Sequence, residues 1–164
     1  MKMAVLEMGG TINGILDPDD PPPRFSRVRA WLDRSRPDLD FAFEIVAMKD
    51  SRAVEDRDRS ALCAAIERRC EARMLIPHGT FTMTDTGEYL MNHLNRESLA
   101  KVLVLVGARV PLGDVDSDAP ANLELAMEAL QQRESGVWVV MSGKVWRPNE
   151  VIKDLSSGEF VLRS

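Results

Sequence analysis

Five short apolar runs alternate with stretches of helical periodicity, and that alternation restricts the fold more than any other feature of the chain. Met3 to Leu6, Phe41 to Met48, Met74 to Ile76, Val102 to Val106 and Val137 to Met141 are strand-sized, enriched in valine and bounded by Gly, Asp or Pro. Between them, Val28 to Asp33, Asp56 to Arg73, Asp85 to Leu94 and Pro120 to Arg133 have helical spacing, as in Leu62 with Ile66 and in Leu123, Ala126 and Leu130. Strand, helix and strand in repetition imply a parallel sheet covered on both faces, so a three-layer α/β/α fold is expected. Ligands of such sheets bind beyond the carboxyl ends of the strands. The loops there are EMGGTING, KDSRAVED, PHGTFTMTDT, GARVPLGDVDSDAP and SGKVWRP.

A chain of 164 residues suffices for one domain with a real core, so a single domain over residues 1–164 is expected. A net charge of −5, with no basic stripe interleaved with aromatics, argues against nucleic acid as a partner. The longest apolar runs fall far short of a membrane span. The start, MKMAVLEMGG, runs into a glycine turn without the features of a signal peptide, so a cytoplasmic protein is expected.

Cys63 and Cys70 lie on one side of the expected helix from Asp56 to Arg73. Two helical turns separate them by roughly 10 Å, too far for a disulfide, and both are read as reduced core thiols. His78 and His93 have no paired spacing with the cysteines, so no metal site is expected. Asp114, Asp116 and Asp118 lack the downstream glutamate of a calcium loop and are read as charge at a helix N-terminus. The Pro-rich acidic segment Leu16 to Arg27 is read as a mobile loop or lid. Trp31, Trp138, Trp146 and the nine methionines are expected to pack.

Chemistry concentrates where glycine meets threonine. A threonine hydroxyl becomes a nucleophile when a base or a lysine of lowered pKa takes its proton. Backbone N–H groups at a strand-to-helix turn can then hold the oxyanion formed on an attacked carbonyl. Gly9-Gly10-Thr11 and Gly79-Thr80 both offer this arrangement. The alternative is a tight turn followed by a helix cap. Two such loops on neighbouring strand ends favour a site.

The sequence also resembles a known family. GGTI near the N-terminus, HGTFTM after a middle strand, VLVGARVP followed by DAPANLELAM, and GVWVVMSGKVWRPNEVIK are similar, in order and spacing, to signatures of the bacterial-type L-asparaginases. The resemblance runs from Val5 to Lys153 and covers only the N-terminal domain, so the expectation is a short single-domain form without the C-terminal domain. Lys49-Asp50-Ser51 and Gly158-Glu159-Phe160 also resemble short members. The resemblance implies a flavodoxin- or Rossmann-like domain that hydrolyses a small amide such as L-asparagine, with no cofactor and no metal, as a homodimer or homotetramer. By the same carry-over, Thr11 matches the first catalytic threonine, the acylated nucleophile. Thr80 matches the second threonine, and Lys153 the lysine that activates it. Ser51 matches the serine holding the substrate α-carboxylate, while Gly79 and Ala108 match positions whose backbone lines the amide pocket. Gly10 belongs to the first of these loops.

Several residues depart from the family pattern. Phe81 stands where the family has an aspartate that binds the substrate α-ammonium and anchors the lysine. No tyrosine follows Thr11 before Val46 to match the family's loop tyrosine, and Phe25 lies near its place, while Tyr89 is read as a packing residue. Arg52 replaces a glutamine beside the serine and is either solvated or positioned to pair a substrate carboxylate. Arg109 interrupts the family's GAM. Three readings stay open: an asparaginase-like amidohydrolase, a non-catalytic binding or scaffold protein, and an amidase for substrates without an α-ammonium in which Phe81 forms an apolar wall.

Overall fold

Every residue of the run Val102–Val106 is buried, which is possible only for a strand with neighbours on both edges and layers on both faces. The computed structural model describes residues 1–164 and supplies both. Its strands are β1 (Lys2–Gly9), β2 (Asp40–Lys49), β3 (Arg73–Pro77), β4 (Val102–Val106), β5 (Gly136–Met141), β6 (Lys144–Trp146), β7 (Val151–Lys153) and β8 (Phe160–Leu162). Its helices are α1 (Arg27–Ser35), α2 (Asp56–Glu67), α3 (Met83–His93), α4 (Arg96–Leu99) and α5 (Ala119–Gln132). The main sheet has the order β2-β1-β3-β4-β5-β6. Strands β1 to β5 run parallel and β6 is antiparallel to β5. This is the expected α/β architecture in the flavodoxin-like strand order, whose switch point lies between β1 and β3.

Alternation along the strands sorts the core into two layers. Leu6, Met74, Ile76, Leu103, Leu105 and Val139 face Leu62 and Ile66 of α2 and Met83 and Leu90 of α3. Met3, Val5, Leu75, Val104 and Val140 face Val28 and Leu32 of α1 and Leu123, Ala126 and Leu130 of α5. The β7–β8 hairpin adds Val151 and Phe160 to the first layer, which brings Lys153 beside the sheet. No helix is long and apolar enough to cross a membrane.

The structure corrects several expectations in detail. Helix α2 ends at Glu67 rather than Arg73, because Lys101, arriving from the start of β4, donates to the carbonyls of Ile66 (2.9 Å) and Arg69 (2.6 Å). A cation on the last carbonyls is a favourable stop. Cys70 therefore lies beyond the helix and is exposed, so only Cys63 is a core thiol, and burial pushes it up to about 11. The expected loop Leu16 to Arg27 ends sooner, since Ser26 caps α1 by accepting from Arg29 N at 2.9 Å. Strands β6, β7 and β8 and the short α4 were not anticipated. The β5–β6 hairpin turns on Ser142 and Gly143, both at positive φ, as a two-residue turn matching strand twist requires. Tyr89 packs on the first layer and stacks on His93 at 3.9 Å.

Leu105 is wholly buried at the centre of the first layer, so Leu105→Ala should lower unfolding free energy by about 2–5 kcal/mol. Urea denaturation followed by far-UV circular dichroism measures the change.

Candidate active site

The switch point brings two glycine backbones together. Gly10, at φ 89°, leads out of β1, and a Cβ placed on it would strike the backbone of Gly79 and approach the His78 carbonyl carbon to 2.8 Å. A Cβ on Gly79 would in turn fall 2.7 Å from Ser51 Oγ. Loops after β1, β2 and β3 thus converge at Gly10, Gly79 and Ser51, with no space for side chains between them. The loop after β4 joins through Gly107, where a Cβ would meet Thr80 Cγ2 at 3.0 Å. Ala108, the next residue, is buried.

Within this cluster Thr80 is buried and Lys153 Nζ donates to its Oγ1 at 2.7 Å, across 73 positions of sequence. Burial, then Arg109 and Arg52, push the Lys153 pKa below the usual lysine value, while Asp50 opposes them. Thr11 follows Gly10 in a single 3-10 turn, Thr11–Asn13, and is half-buried. A lysine with reduced proton affinity, bonded to a buried hydroxyl, is able to take and return a proton through that hydroxyl.

Ser51 is 1% exposed. Its Oγ accepts from Thr82 N at 3.2 Å and its carbonyl accepts from Thr82 Oγ1 at 2.7 Å, which ties the β2 loop to the start of α3. Arg52 folds back on buried Asp50, with Nε to Oδ1 at 2.9 Å and Nη2 to Oδ2 at 2.8 Å. This pairing holds the Asp50 carboxyl below the usual range. Arg52 Nη2 also donates to the Leu16 carbonyl at 3.0 Å. Phe81, 40% exposed, carries two cations over its ring: Lys153 Nζ at 3.8 Å and the Arg52 guanidinium at 4.3 Å from the centroid. Residue 81 thus presents a π face to both cations.

Sequence reasoning assigned no role to three polar groups that hold this geometry. His78 is wholly buried, with Nδ1 2.8 Å from the Gly79 carbonyl and Nε2 2.8 Å from Thr86 Oγ1, to which Arg59 Nε donates at 3.0 Å. Burial pushes His78 down to about 4, so it is neutral. The tautomer with Nδ1–H donating to Gly79 satisfies the whole chain and fixes the Gly79–Thr80 peptide plane. Asn122 of α5 does the same for Gly107, donating to its carbonyl at 3.0 Å.

The third is Glu7, buried in β1, which accepts from Asn13 Nδ2 at 2.8 Å and from Ser26 Oγ. Asn13 Oδ1 accepts from Arg27 N at 2.9 Å, so the Thr11 turn is tied to the head of α1 across the Pro-rich loop. Phe25 lines a concave space of about 380 Å³ beside Glu7, with Arg24, Arg29, Phe43 and Glu44, and has no hydroxyl to offer. The sequence signals were a histidine before Gly-Thr and a glutamate inside an apolar strand.

No cluster of three or more His, Cys, Asp or Glu is placed to hold a metal ion. Asp114 pairs with Arg27. Asp118 accepts from Arg109 N and Val110 N, both at 3.0 Å, and so shapes the loop after β4.

Burial raises Glu7 from 4.5 to about 7. A raised carboxyl pKa means that the folded state binds the proton more tightly than the unfolded state. Its contribution to stability is therefore fully present below pH 4.5 and lost as pH rises through about 7, to the extent of about 3 kcal/mol. Urea midpoints measured between pH 4.5 and 8 should fall across this window in the native chain and much less in Glu7→Gln.

Comparisons with known proteins converge on one family. The family model described as Asparaginase, N-terminal matches residues 2–160. A probable periplasmic L-asparaginase of Haemophilus influenzae is 32% identical over 108 residues, covering 63% of this chain and 30% of that protein. The crystal structure of a probable cytoplasmic L-asparaginase from Campylobacter jejuni has a TM-score of 0.78 at 27% identity, over 97% of this chain and 52% of its own. The thermostable L-asparaginase from Thermococcus kodakarensis has a TM-score of 0.83 at 23% identity, over 99% of this chain and 51% of its own. L-asparaginase I from Vibrio cholerae has a TM-score of 0.82 at 23% identity, over 98% of this chain and 51% of its own. The last two bear on the fold alone. This chain thus spans about half the length of these solved structures, and it belongs to the asparaginase family, matching that family's N-terminal domain.

Proposed function

We propose that the chain is an amidohydrolase that cleaves L-asparagine or a related small carboxamide to the acid and ammonia through a threonine acyl-enzyme. The observation that carries this reading is the 2.7 Å bond between Lys153 Nζ and Thr80 Oγ1, at the switch point where a second threonine, Thr11, also sits. Family membership supports the reaction class.

In the first step Thr11 Oγ attacks the amide carbon and its proton passes by way of Thr80 to neutral Lys153. The proton returns to the departing nitrogen, ammonia leaves, and an ester remains on Thr11. Water then attacks the ester under the same base and releases the acid. Backbone N–H groups of the Gly79–Thr80 and Gly107–Ala108 peptides, whose planes His78 and Asn122 hold, stabilise the oxyanion. Ser51 and Arg52 are assigned to the substrate carboxylate, Arg52 through the guanidinium nitrogen that its pairing with Asp50 leaves free. Every proton transfer is assigned to a side chain, so the mechanism needs no cofactor.

The reading extends to a cytoplasmic homodimer or homotetramer. Two unpaired cysteines suit a reducing compartment. The exposed Ile152, Leu155 and Leu162 of the β7–β8 hairpin suit a subunit contact. A purely binding or scaffold role is the competing reading, favoured by the occupation of Asp50 by Arg52 and by Phe81 beneath Lys153.

Ammonia release from asparagine, glutamine and simple carboxamides tests the proposal. Thr11→Ala, Thr80→Val and Lys153→Met should each lower kcat/KM by at least about 100-fold while leaving the melting profile near that of the native chain. Activity that survives Thr11→Ala would sink the mechanism, and no turnover of any amide would favour the binding role. Because Lys153 must be neutral to accept the proton, kcat/KM should rise with pH through a lysine pKa below the ordinary value.

A further inference from the structure

We propose that this site takes ω-monoamides of dicarboxylic acids that lack an α-ammonium group, with Phe81, Arg52 and Lys153 as the residues that exclude the ammonium. The proposal deepens the amidohydrolase reading and rests on it for turnover, though not for binding.

The exclusion follows from how the charges in the site are committed. Asp50, next to Ser51, has both its oxygens taken: Oδ1 by Arg52 Nε at 2.9 Å and Arg52 N at 2.8 Å, and Oδ2 by Arg52 Nη2 at 2.8 Å. Glu159 is paired with Arg109. Asp118 is spent on the N–H groups of Arg109 and Val110 and on Asn122. Apart from the exposed Asp85, the surface left to attract a cation is the ring of Phe81, and Lys153 and Arg52 already occupy it at 3.8 and 4.3 Å.

An incoming ammonium therefore meets Arg52 and Arg109, and Lys153 whenever it is protonated, with no free acceptor among the paired carboxylates Asp50, Glu159 and Asp118. The same positive field acts on Lys153, whose proton Arg109 and Arg52 help to loosen. A substrate carboxylate faces the opposite situation, since the surplus cations favour it and Arg52 retains an uncommitted guanidinium nitrogen. Asp85, exposed in the first turn of α3, shares a groove of about 190 Å³ with Phe81, Lys153 and Arg163, and is the one further carboxylate to be tested.

Succinamate is asparagine without its α-ammonium, which makes the pair a direct probe. The native protein should release ammonia from succinamate with a kcat/KM about tenfold or more above that for L-asparagine. Arg52→Gln uncovers Asp50 and should narrow that ratio, and Phe81→Asp should reverse it. Circular dichroism establishes that each variant is folded. The proposal is overturned if L-asparagine matches or exceeds succinamate in the native protein. It is equally overturned if neither folded variant moves the ratio, or if Asp85→Asn abolishes an existing use of asparagine.

Calorimetry with the products, succinate and L-aspartate, separates this proposal from the reading on which it rests. Succinate bound about tenfold or more tightly than aspartate, with no amide hydrolysed, would uphold the ligand class and discard the hydrolase. Equal affinity, or binding of neither acid, would discard the ligand class.

Discussion

Gly10 and Gly79 approach each other backbone to backbone at the ends of β1 and β3, and the site depends on that contact. In a sheet of order 2-1-3-4-5, chain direction diverges between β1 and β3, so their following loops open away from each other and leave a crevice. Side chains on either glycine would push those loops apart. With none there, the Thr11 turn, Ser51 and the Gly79–Thr80 peptide share one small volume, and β7 delivers Lys153 to it from near the other end of the chain.

Buried polar groups hold the loops in register. A buried carboxyl or imidazole costs free energy unless each hydrogen-bonding atom is satisfied. Glu7 is answered by Asn13 and Ser26, and His78 by Gly79 and Thr86. Each network joins elements that are distant in sequence or separated by a loop, so the cost of burying it is offset only when those elements are correctly placed. In both cases the consequence reaches a threonine turn: Glu7 and Asn13 tie down the one carrying Thr11, and His78 sets the peptide preceding Thr80.

The electrostatic character of the pocket departs from what its motifs imply. A phenylalanine after Gly-Thr reads as an apolar wall until the structure shows Lys153 and Arg52 lying over it. An arginine after Asp-Ser reads as solvated or as a full carboxylate receptor until its guanidinium is seen closing on Asp50, with one nitrogen left for a ligand. Both readings change for the same reason. Charge in a crowded site is set by which groups are already paired, and pairing is a property of three-dimensional neighbours.

The valine-rich strands, the 3.6-residue periodicity and the Gly-Thr turns were sufficient to indicate the α/β class, the loops that matter and the candidates Thr11 and Thr80, because period and turn chemistry are local properties, whereas Ser51 and Lys153 became candidates only through the resemblance to the asparaginases. Helix α2 stopping at Glu67 was not legible, since the cation that ends it comes from Lys101, and with it went the exposure of Cys70. The β7–β8 hairpin was equally hidden, being three residues on each side and defined only by its partner. The sequence by itself therefore determined the sheet, its covering helices and which loops carry the candidate groups. Tertiary structure alone decided which of those groups touch, which carboxylate is masked and which lysine loses its hold on a proton, because each of these depends on distances between residues far apart in the chain.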